Sequence, residues 1–329
     1  MTLSTAASQR ILRYRDAARS SSTVRTYHSQ FETFTAWCHS ENVSPGLPVA
    51  PMIVAAWISA RADDGLAQSS IHVGLAAIVA AHRKSGLVFD AHDPAFRETL
   101  AGLRRLVPII RDRQAAPLRR QVLAEVLQAA DTDRQSIRDA ALFATLYIFG
   151  LRRSELVALD YAQRGDGQGV ITFTADNIEV SLFTSKADPT QAVRVVVPKS
   201  GNPVASAAIE SWIASAGLVP GAPYMRRFLG HGALGDRISS DGVGRVVKRA
   251  MLAHFLRQGL SPHDAAVEAA RFTGHSGRVG LIVSAAEAGV SDTAIAKSTR
   301  HKTTALIARY AQQADQTVTA KRVFAEIGV

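Results

Sequence analysis

Apolar residues recur at three- and four-residue intervals over most of the chain, the spacing that gathers them on one stripe of an α-helix. Val24, Tyr27, Phe31, Phe34 and Cys38 form the first stripe, which places them in a core, with Cys38 as a small buried hydrophobe. A second helix is expected from Pro51 to Ala62, opened by a proline that the first turn tolerates and closed by Asp63-Asp64-Gly65. A third runs from Gln68 to Ser85, and a fourth begins at Pro94 and carries Phe96, Leu100, Leu103 and Leu106. The pattern fails between Val107 and Leu118, where Pro108, Pro117 and the run Arg111-Asp112-Arg113-Gln114 interrupt it. That break predicts a linker, and 329 residues suffice for two domains.

Helical spacing returns from Arg119 to Ala130 and from Arg134 to Phe149. The period then changes. Val170 to Phe173, Ile178 to Phe183 and Val193 to Val197 are runs rich in β-branched residues, separated by Asp176-Asn177 and by Thr184 to Gln191, and predict three antiparallel strands. After Pro203 the pattern is helical to the end, broken at Gly230 to Gly235, Gly259 and Gly289. The expected fold class is mostly α with a small antiparallel β-sheet in the second domain. Residues 1–22 are expected to be a flexible arm, 23–107 a helical domain, 108–118 the linker and 119–329 a second domain.

Composition narrows the setting. No apolar run approaches the ~20 residues that span a bilayer, and residues 1–22 lack the apolar centre of a secretory signal. A single cysteine excludes an internal disulfide and fits a cytoplasmic protein. The net charge of +10 is spread along the chain, as suits a polyanionic partner such as nucleic acid. The histidines are not spaced as a zinc site and the carboxylates do not cluster, so neither a metal nor another cofactor is expected. Gly230-His231-Gly232-Ala233-Leu234-Gly235 lacks the strand context of a nucleotide fingerprint and fits a loop lying against DNA.

Candidate chemistry lies in two places far apart in the chain: Gly150-Leu151-Arg152-Arg153-Ser154-Glu155-Leu156, and the closing third with Gly274-His275-Ser276-Gly277-Arg278-Val279-Gly280, His301 and Tyr310. Arg152 with Glu155 at a helix start is by itself an ordinary exposed pair. His275 and Arg278 near another helix start could address an anion through the helix's N-terminal amides, or form a surface pair. Two arginine forks around one phosphate would neutralise charge as phosphorus becomes five-coordinate, and a tyrosine hydroxyl could attack and keep the broken strand attached to the protein.

Taken together, in this order and at these separations, the residues resemble the tyrosine recombinases, also called phage-type integrases. The likeness extends through Ala288-Gly289-Val290-Ser291 and the nine-residue step from His301 to Tyr310. It implies a two-domain clamp on duplex DNA and a site-specific recombinase that works without ATP or metal, as a tetramer on two sites, through a Holliday junction. It also implies Tyr310 as nucleophile forming a 3′-phosphotyrosyl bond, Arg152 and Arg278 as the phosphate clamp, His275 and His301 as hydrogen-bonding or proton-moving partners, and Glu155 as support. Lys186, in Thr184-Ser185-Lys186-Ala187-Asp188 between the second and third expected strands, matches the family's hairpin lysine, which protonates the leaving 5′-oxygen. Only seven of the 38 basic residues are lysines, and unlike arginine a desolvated lysine can release a proton near neutral pH. Lys199 competes for that role.

Arg83, Lys84, Arg104, Arg105, Arg119, Arg120, Arg226, Arg227, Arg237, Arg245, Lys248 and Arg249 are candidates to track the DNA backbone. Val318, Val323, Phe324 and Ile327 give segment 317–327 a helical stripe, which the resemblance assigns to a contact with a neighbouring subunit. Two other readings share the chemistry or the ligand. A DNA-binding protein without cleavage would not need Arg152, Lys186, His275, Arg278, His301 and Tyr310 together, and a type IB topoisomerase would act as a monomer without paired sites.

Overall fold

The computed structural model describes residues 20–107, 115–183 and 193–311, together with positions 4, 7, 9–11 and 14. Lys186, most of the segment expected to link two domains and the stripe within 317–327 lie outside the described residues. The chain divides into two compact units, residues 1–113 and 114–329.

Among the described residues of the first unit, four helices have defined bounds: α1 (Ser21–Ser40), α2 (Pro51–Asp63), α3 (Gln68–Lys84) and α4 (Pro94–Leu106). Side-chain caps set two of their starts, Ser20 accepting from the Thr23 N–H and Asp93 Oδ1 from the Phe96 N–H at 2.8 Å. Phe34, Cys38, Trp57, Ile58, Ile78, Phe96 and Leu103 are buried in one core. Gly74 lets α3 approach α2, since a β-carbon there would lie 2.5 Å from the Trp57 ring.

The second unit is organised around a helix whose C-terminal half is buried on every side. Its helices are α5 (Arg120–Gln128), α6 (Arg134–Ile148), α7 (Arg153–Val157), α8 (Pro203–Ala216), α9 (Ser240–Arg257), α10 (Pro262–Ala270), α11 (Ser276–Glu287), α12 (Asp292–Thr299) and α13 (Ala305–Ala311). Residues 140–147 of α6 are all buried, the state expected of a helix that is apolar on every side. Tyr224 closes over it, its hydroxyl 2.8 Å from that of Thr145, while its carbonyl accepts from Trp212 of α8 at 2.8 Å.

Four strands, β1 (Leu159–Tyr161), β2 (Gly169–Phe173), β3 (Asn177–Leu182) and β4 (Val193–Pro198), pair in sequence order. Pairs β2–β3 and β3–β4 are antiparallel as expected; β1, which three residues are too short to announce by periodicity, adds a parallel edge to β2. A second departure lies in the stretch expected to be helical after Pro203. There β5 (Arg226–Phe228) and β6 (Leu234–Arg237) form an antiparallel hairpin around the glycine-rich loop. Polar bonds and an apolar face close it together, Arg226 Nε donating to the Gly235 carbonyl at 2.7 Å while Phe228 and Leu234 pack against the core of the unit. No described helix is long and apolar enough to cross a membrane.

One packing contact presents the candidate site. Helix α11 lies directly on the chain entering the unit: the buried Leu118 donates its N–H to the Ser276 carbonyl at 2.9 Å. A β-carbon on Gly280 would meet the Leu118 carbonyl oxygen at 1.9 Å, and one on Gly277 would lie 2.8 Å from Leu146 of α6. Because the obstacle at Gly280 is backbone, Gly280→Ala is expected to destabilise the protein by about 2–3 kcal/mol. Urea denaturation would read this as a lower midpoint, and an unchanged midpoint would mean that α11 has room to shift.

Candidate active site

The site is assembled where α6 ends. Gly150, at φ 52°, turns the chain out of the helix in the left-handed conformation that favours glycine, and a β-carbon there would press on Leu281 at 3.0 Å. Leu151 anchors the turn in the core and Arg152 precedes the first turn of α7. Glu155, buried one turn on, returns to it: Oε2 accepts from the Arg152 N–H at 2.8 Å and Oε1 from its guanidinium at 2.6 Å. The sequence-predicted pair is thus one hydrogen-bonded unit.

His275 precedes α11 and Arg278 occupies its first turn. Arg278 is buried and donates to the Gly150 carbonyl at 2.7 Å, so a residue 128 positions away holds it beside Arg152. Its other terminal nitrogen lies 3.1 Å from the His301 ring nitrogens. Thr299 gives its hydroxyl hydrogen to the Ile295 carbonyl at 2.6 Å and meets His301 Nδ1 at 2.7 Å. That network assigns the proton to Nδ1 and leaves Nε2 as acceptor. Tyr310, partly buried on α13, packs against Ile282, Ile295, Ala296 and Ile307 and lies within electrostatic reach of Arg278.

Sequence reasoning missed one member. Arg300, buried beside His301, reaches Glu155 Oε2 at 3.0 Å and the Gly150 carbonyl at 3.0 Å. The available signal was the absence of a glycine or asparagine to stop α12, which leaves Arg300 itself to take the left-handed turn at φ 59°.

The charges follow from this crowding. Burial opposes ionisation of Glu155, but Arg300, the Arg152 N–H and the Arg152 guanidinium outweigh it and hold the carboxyl below its ordinary range. Burial, then the charges of Arg152 and Arg300, pushes Arg278 down to about 9, which leaves it cationic at neutral pH. Burial followed by the charges of Arg278, Arg152 and Arg300 pushes His301 down to about 4. His275 is exposed at the surface, yet desolvation by the groups around its ring and then Arg153, Arg278 and Arg152 lower it too. At neutral pH three guanidiniums and one carboxylate therefore leave two net positive charges beside neutral imidazoles. Such a site can bind an anion and stabilise a further negative charge developing on it. Among the described residues no group of three or more histidine, cysteine, aspartate or glutamate side chains gathers to hold a metal ion.

The model of the phage integrase family matches residues 117–317, which include every member of this cluster. The chain belongs to the phage integrase family. It is a tyrosine recombinase, a DNA strand transferase, and residues 14–84 match that family's N-terminal SAM-like domain. An integrase/recombinase XerD homologue of Selenomonas ruminantium is 26% identical over 308 residues, covering 91% of this chain and 83% of that protein. The tyrosine recombinase XerC of Mycobacterium sp. (strain KMS) is 29% identical over 156 residues, covering 44% of this chain and 48% of that one. Among solved structures, the Tn1549 transposon integrase in complex with transposon right-end DNA superposes with a TM-score of 0.60 at 15% identity, covering 98% of both chains. The XerH recombinase bound to palindromic difH substrate gives 0.58 at 12% identity over 92% of this chain and 80% of its own. These likenesses extend the tyrosine recombinase fold over nearly the whole chain.

The backbone-tracking candidates separate by their partners. Arg83 and Lys84 end α3 and Arg104 and Arg105 end α4, all exposed; Arg120, Arg245 and Lys248 are exposed on the second unit. Arg227 is exposed and pairs with Asp236 at 3.3 Å, Arg249 pairs with Asp139, and Arg119 with Glu287. Arg226 and Arg237 are committed inward. Arg226 braces the β5–β6 hairpin; Arg237 donates to the Val157 and Leu159 carbonyls at 2.8 and 2.9 Å and pairs with the buried Asp160 at 2.6 Å. Their guanidiniums serve the scaffold, because leaving those carbonyls and Asp160 unpaired would be costly.

Proposed function

We propose that this tyrosine recombinase cleaves and rejoins duplex DNA at specific sites through a covalent bond at Tyr310. The observation that carries the reading is the convergence of Arg152, Arg278, His301 and Tyr310, from four separate elements, on one cationic cluster, with His275 at its rim. Arg152 and Arg278 clamp the non-bridging oxygens of the scissile phosphate. Tyr310 Oη attacks phosphorus, its proton passing to the neutral His275 or to water, and the bond from phosphorus to the 5′-oxygen breaks. The product is a 3′-phosphotyrosine and a 5′-hydroxyl. The ester retains the energy of the phosphodiester, so a 5′-hydroxyl from another strand can reverse the step without ATP or a metal. Lys186 protonates the leaving oxygen. Lys199 is ion-paired with Glu210 at 2.7 Å, which disfavours it as donor.

In this reading residues 23–107 form a helical DNA-binding domain and residues 119–329 the catalytic domain. Arg83, Lys84, Arg104 and Arg105 on the first and Arg120, Arg227, Arg245, Lys248 and Arg249 on the second follow phosphates on double-stranded DNA; Arg119 remains a weaker candidate. Four copies assemble on two sites and exchange strands in pairs through a Holliday junction, segment 317–327 contacting the neighbouring copy. The motifs also resemble those of Cre recombinase, with histidine at 301 where Cre carries tryptophan.

The test is covalent capture. The full chain is incubated with nicked suicide duplexes of randomised sequence, and adducts surviving denaturation are sequenced and digested. The expected product is a peptide carrying Tyr310 joined to a DNA 3′ end; DNA binding without any such adduct would overturn the proposal. On a duplex selected in this way, Lys186→Ala is expected to cleave at least about 100-fold more slowly and to recover on a 5′-bridging phosphorothiolate, whose sulfur leaves without a proton. Failure to recover would remove Lys186 from that role.

A further inference from the structure

The turn between α12 and α13 contains a third guanidinium that the phosphate chemistry does not require. Arg300 holds φ 59°, a conformation that residues with side chains rarely adopt and that usually falls to glycine or asparagine at a helix end. An arginine here therefore stands against the preference of its own backbone. Its side chain is buried and reaches inward, Nη1 donating to the Phe149 carbonyl at 3.2 Å and Nη2 to the Gly150 carbonyl and Glu155 Oε2, each at 3.0 Å. Its Nε is buried without a partner among the described residues, so the group is kept in place despite one unsatisfied donor.

Two of its acceptors are shared. The Gly150 carbonyl also accepts from Arg278, and Glu155 also pairs with Arg152. Both carbonyls lie at the end of α6, where the helix dipole favours cations. Resting on the assignment of Arg152 and Arg278 as the phosphate clamp, we infer that Arg300 is a positioning residue for strand cleavage, bracing the two acceptors that orient the clamp and keeping Glu155 an anion behind it. Glu155 faces Arg152 from its own turn, Arg278 from α11 and Arg300 from the turn after α12, with His275 and His301 completing its surroundings. Among the described residues only Arg300 and Arg152 have side chains that bond to it, and in the proposed clamp Arg152 must also serve the phosphate. Removing Arg300 leaves Arg152 to satisfy the carboxylate and the DNA at once.

The decisive variant is Arg300→Gly, which relieves the backbone and removes only the side chain. Single-turnover adduct formation on a duplex selected as above is expected to fall at least about 10-fold at pH 7, and the acid limb of its pH profile to move to higher pH. Arg300→Lys, which keeps the charge, should recover part of the rate, whereas Arg300→Gln should not. Wild-type rates and an unmoved acid limb in Arg300→Gly would overturn the inference, since the arginine would then be only a turn residue. If Arg300→Gly does not fold, the lysine and glutamine variants decide: equal rates in both overturn it, and a defect confined to glutamine supports it. Should the wild-type chain form no adduct on any duplex, the parent reading fails and stability still reads Arg300. Glu155 ionises more readily in the folded chain, so its stabilising contribution is complete above pH ~4.5 and is lost as pH falls through the lower, folded value. Arg300→Gly should lose less stability than wild type between pH 7 and pH 3. Equal losses would show that Arg300 does not hold the carboxylate charged.

Discussion

Tyr310→Phe is expected to fold and to bind DNA as the wild-type chain does, and to form no covalent protein–DNA adduct at any pH or time of incubation. The substitution removes one oxygen atom and keeps the ring, which packs against Ile282, Ile295, Ala296 and Ile307. Stability should therefore change little. The effect on chemistry is complete because no other group can replace a nucleophile whose bond to phosphorus is the intermediate itself. Gel-shift titration measures binding, and denaturing electrophoresis of a suicide duplex measures the adduct. Residual adduct in the variant would mean that another hydroxyl attacks and that the nine-residue step from His301 to Tyr310 has been misread.

Arg278→Ala carries the next largest effect, a loss of about 1,000-fold in the rate of adduct formation with little loss of DNA affinity. Arg278 is 5% exposed, and in the proposed clamp its charge lies beside the phosphorus as that atom becomes five-coordinate and gains negative charge, so its attraction strengthens along the reaction. Phosphates along the duplex contribute most of the binding and are met by other residues. Arg278→Lys should remain about 100-fold slow, because an ammonium restores charge but cannot give one nitrogen to the Gly150 carbonyl and another to the phosphate with a planar fork. Single-turnover kinetics beside a binding isotherm separate the two effects. A variant that loses affinity and rate equally would place Arg278 in ground-state binding instead of in the clamp.

Much of the site was legible because its members come in pairs at helical spacing. Arg152 with Glu155, and His275 with Arg278, lie three residues apart across a helix start, so local geometry alone keeps the members of each pair within one turn of each other. The helices of the first unit were legible from their apolar stripes, and prolines mark two of their starts, Pro51 for α2 and Pro94, after the cap Asp93, for α4. Arg300 was not legible. Its importance depends on a left-handed turn and on a carboxylate 145 residues upstream, neither of which leaves a periodic trace. The β5–β6 hairpin escaped for the opposite reason, since two adjacent arginines in a three-residue strand read as surface when one of them closes the hairpin from within. Arg237 illustrates the same limit. As a basic residue near a glycine loop it looked available to DNA, whereas the fold gives it two carbonyls and a buried aspartate to satisfy.

By itself the sequence determined the helical character of the chain, the chemical types present in the site and the family to which their order belongs. These depend on spacing, side-chain chemistry and local capping, which neighbouring residues decide among themselves. Tertiary structure alone decided how the arginines of the cluster are held, which of them share the Gly150 carbonyl and which reach Glu155. That choice is made by the end of α6, where one carbonyl at Gly150 receives Arg278 and Arg300 together. Buried acceptors take the donors that the packing of α11 and α12 brings within about 3 Å, and the remaining charge is left for the substrate.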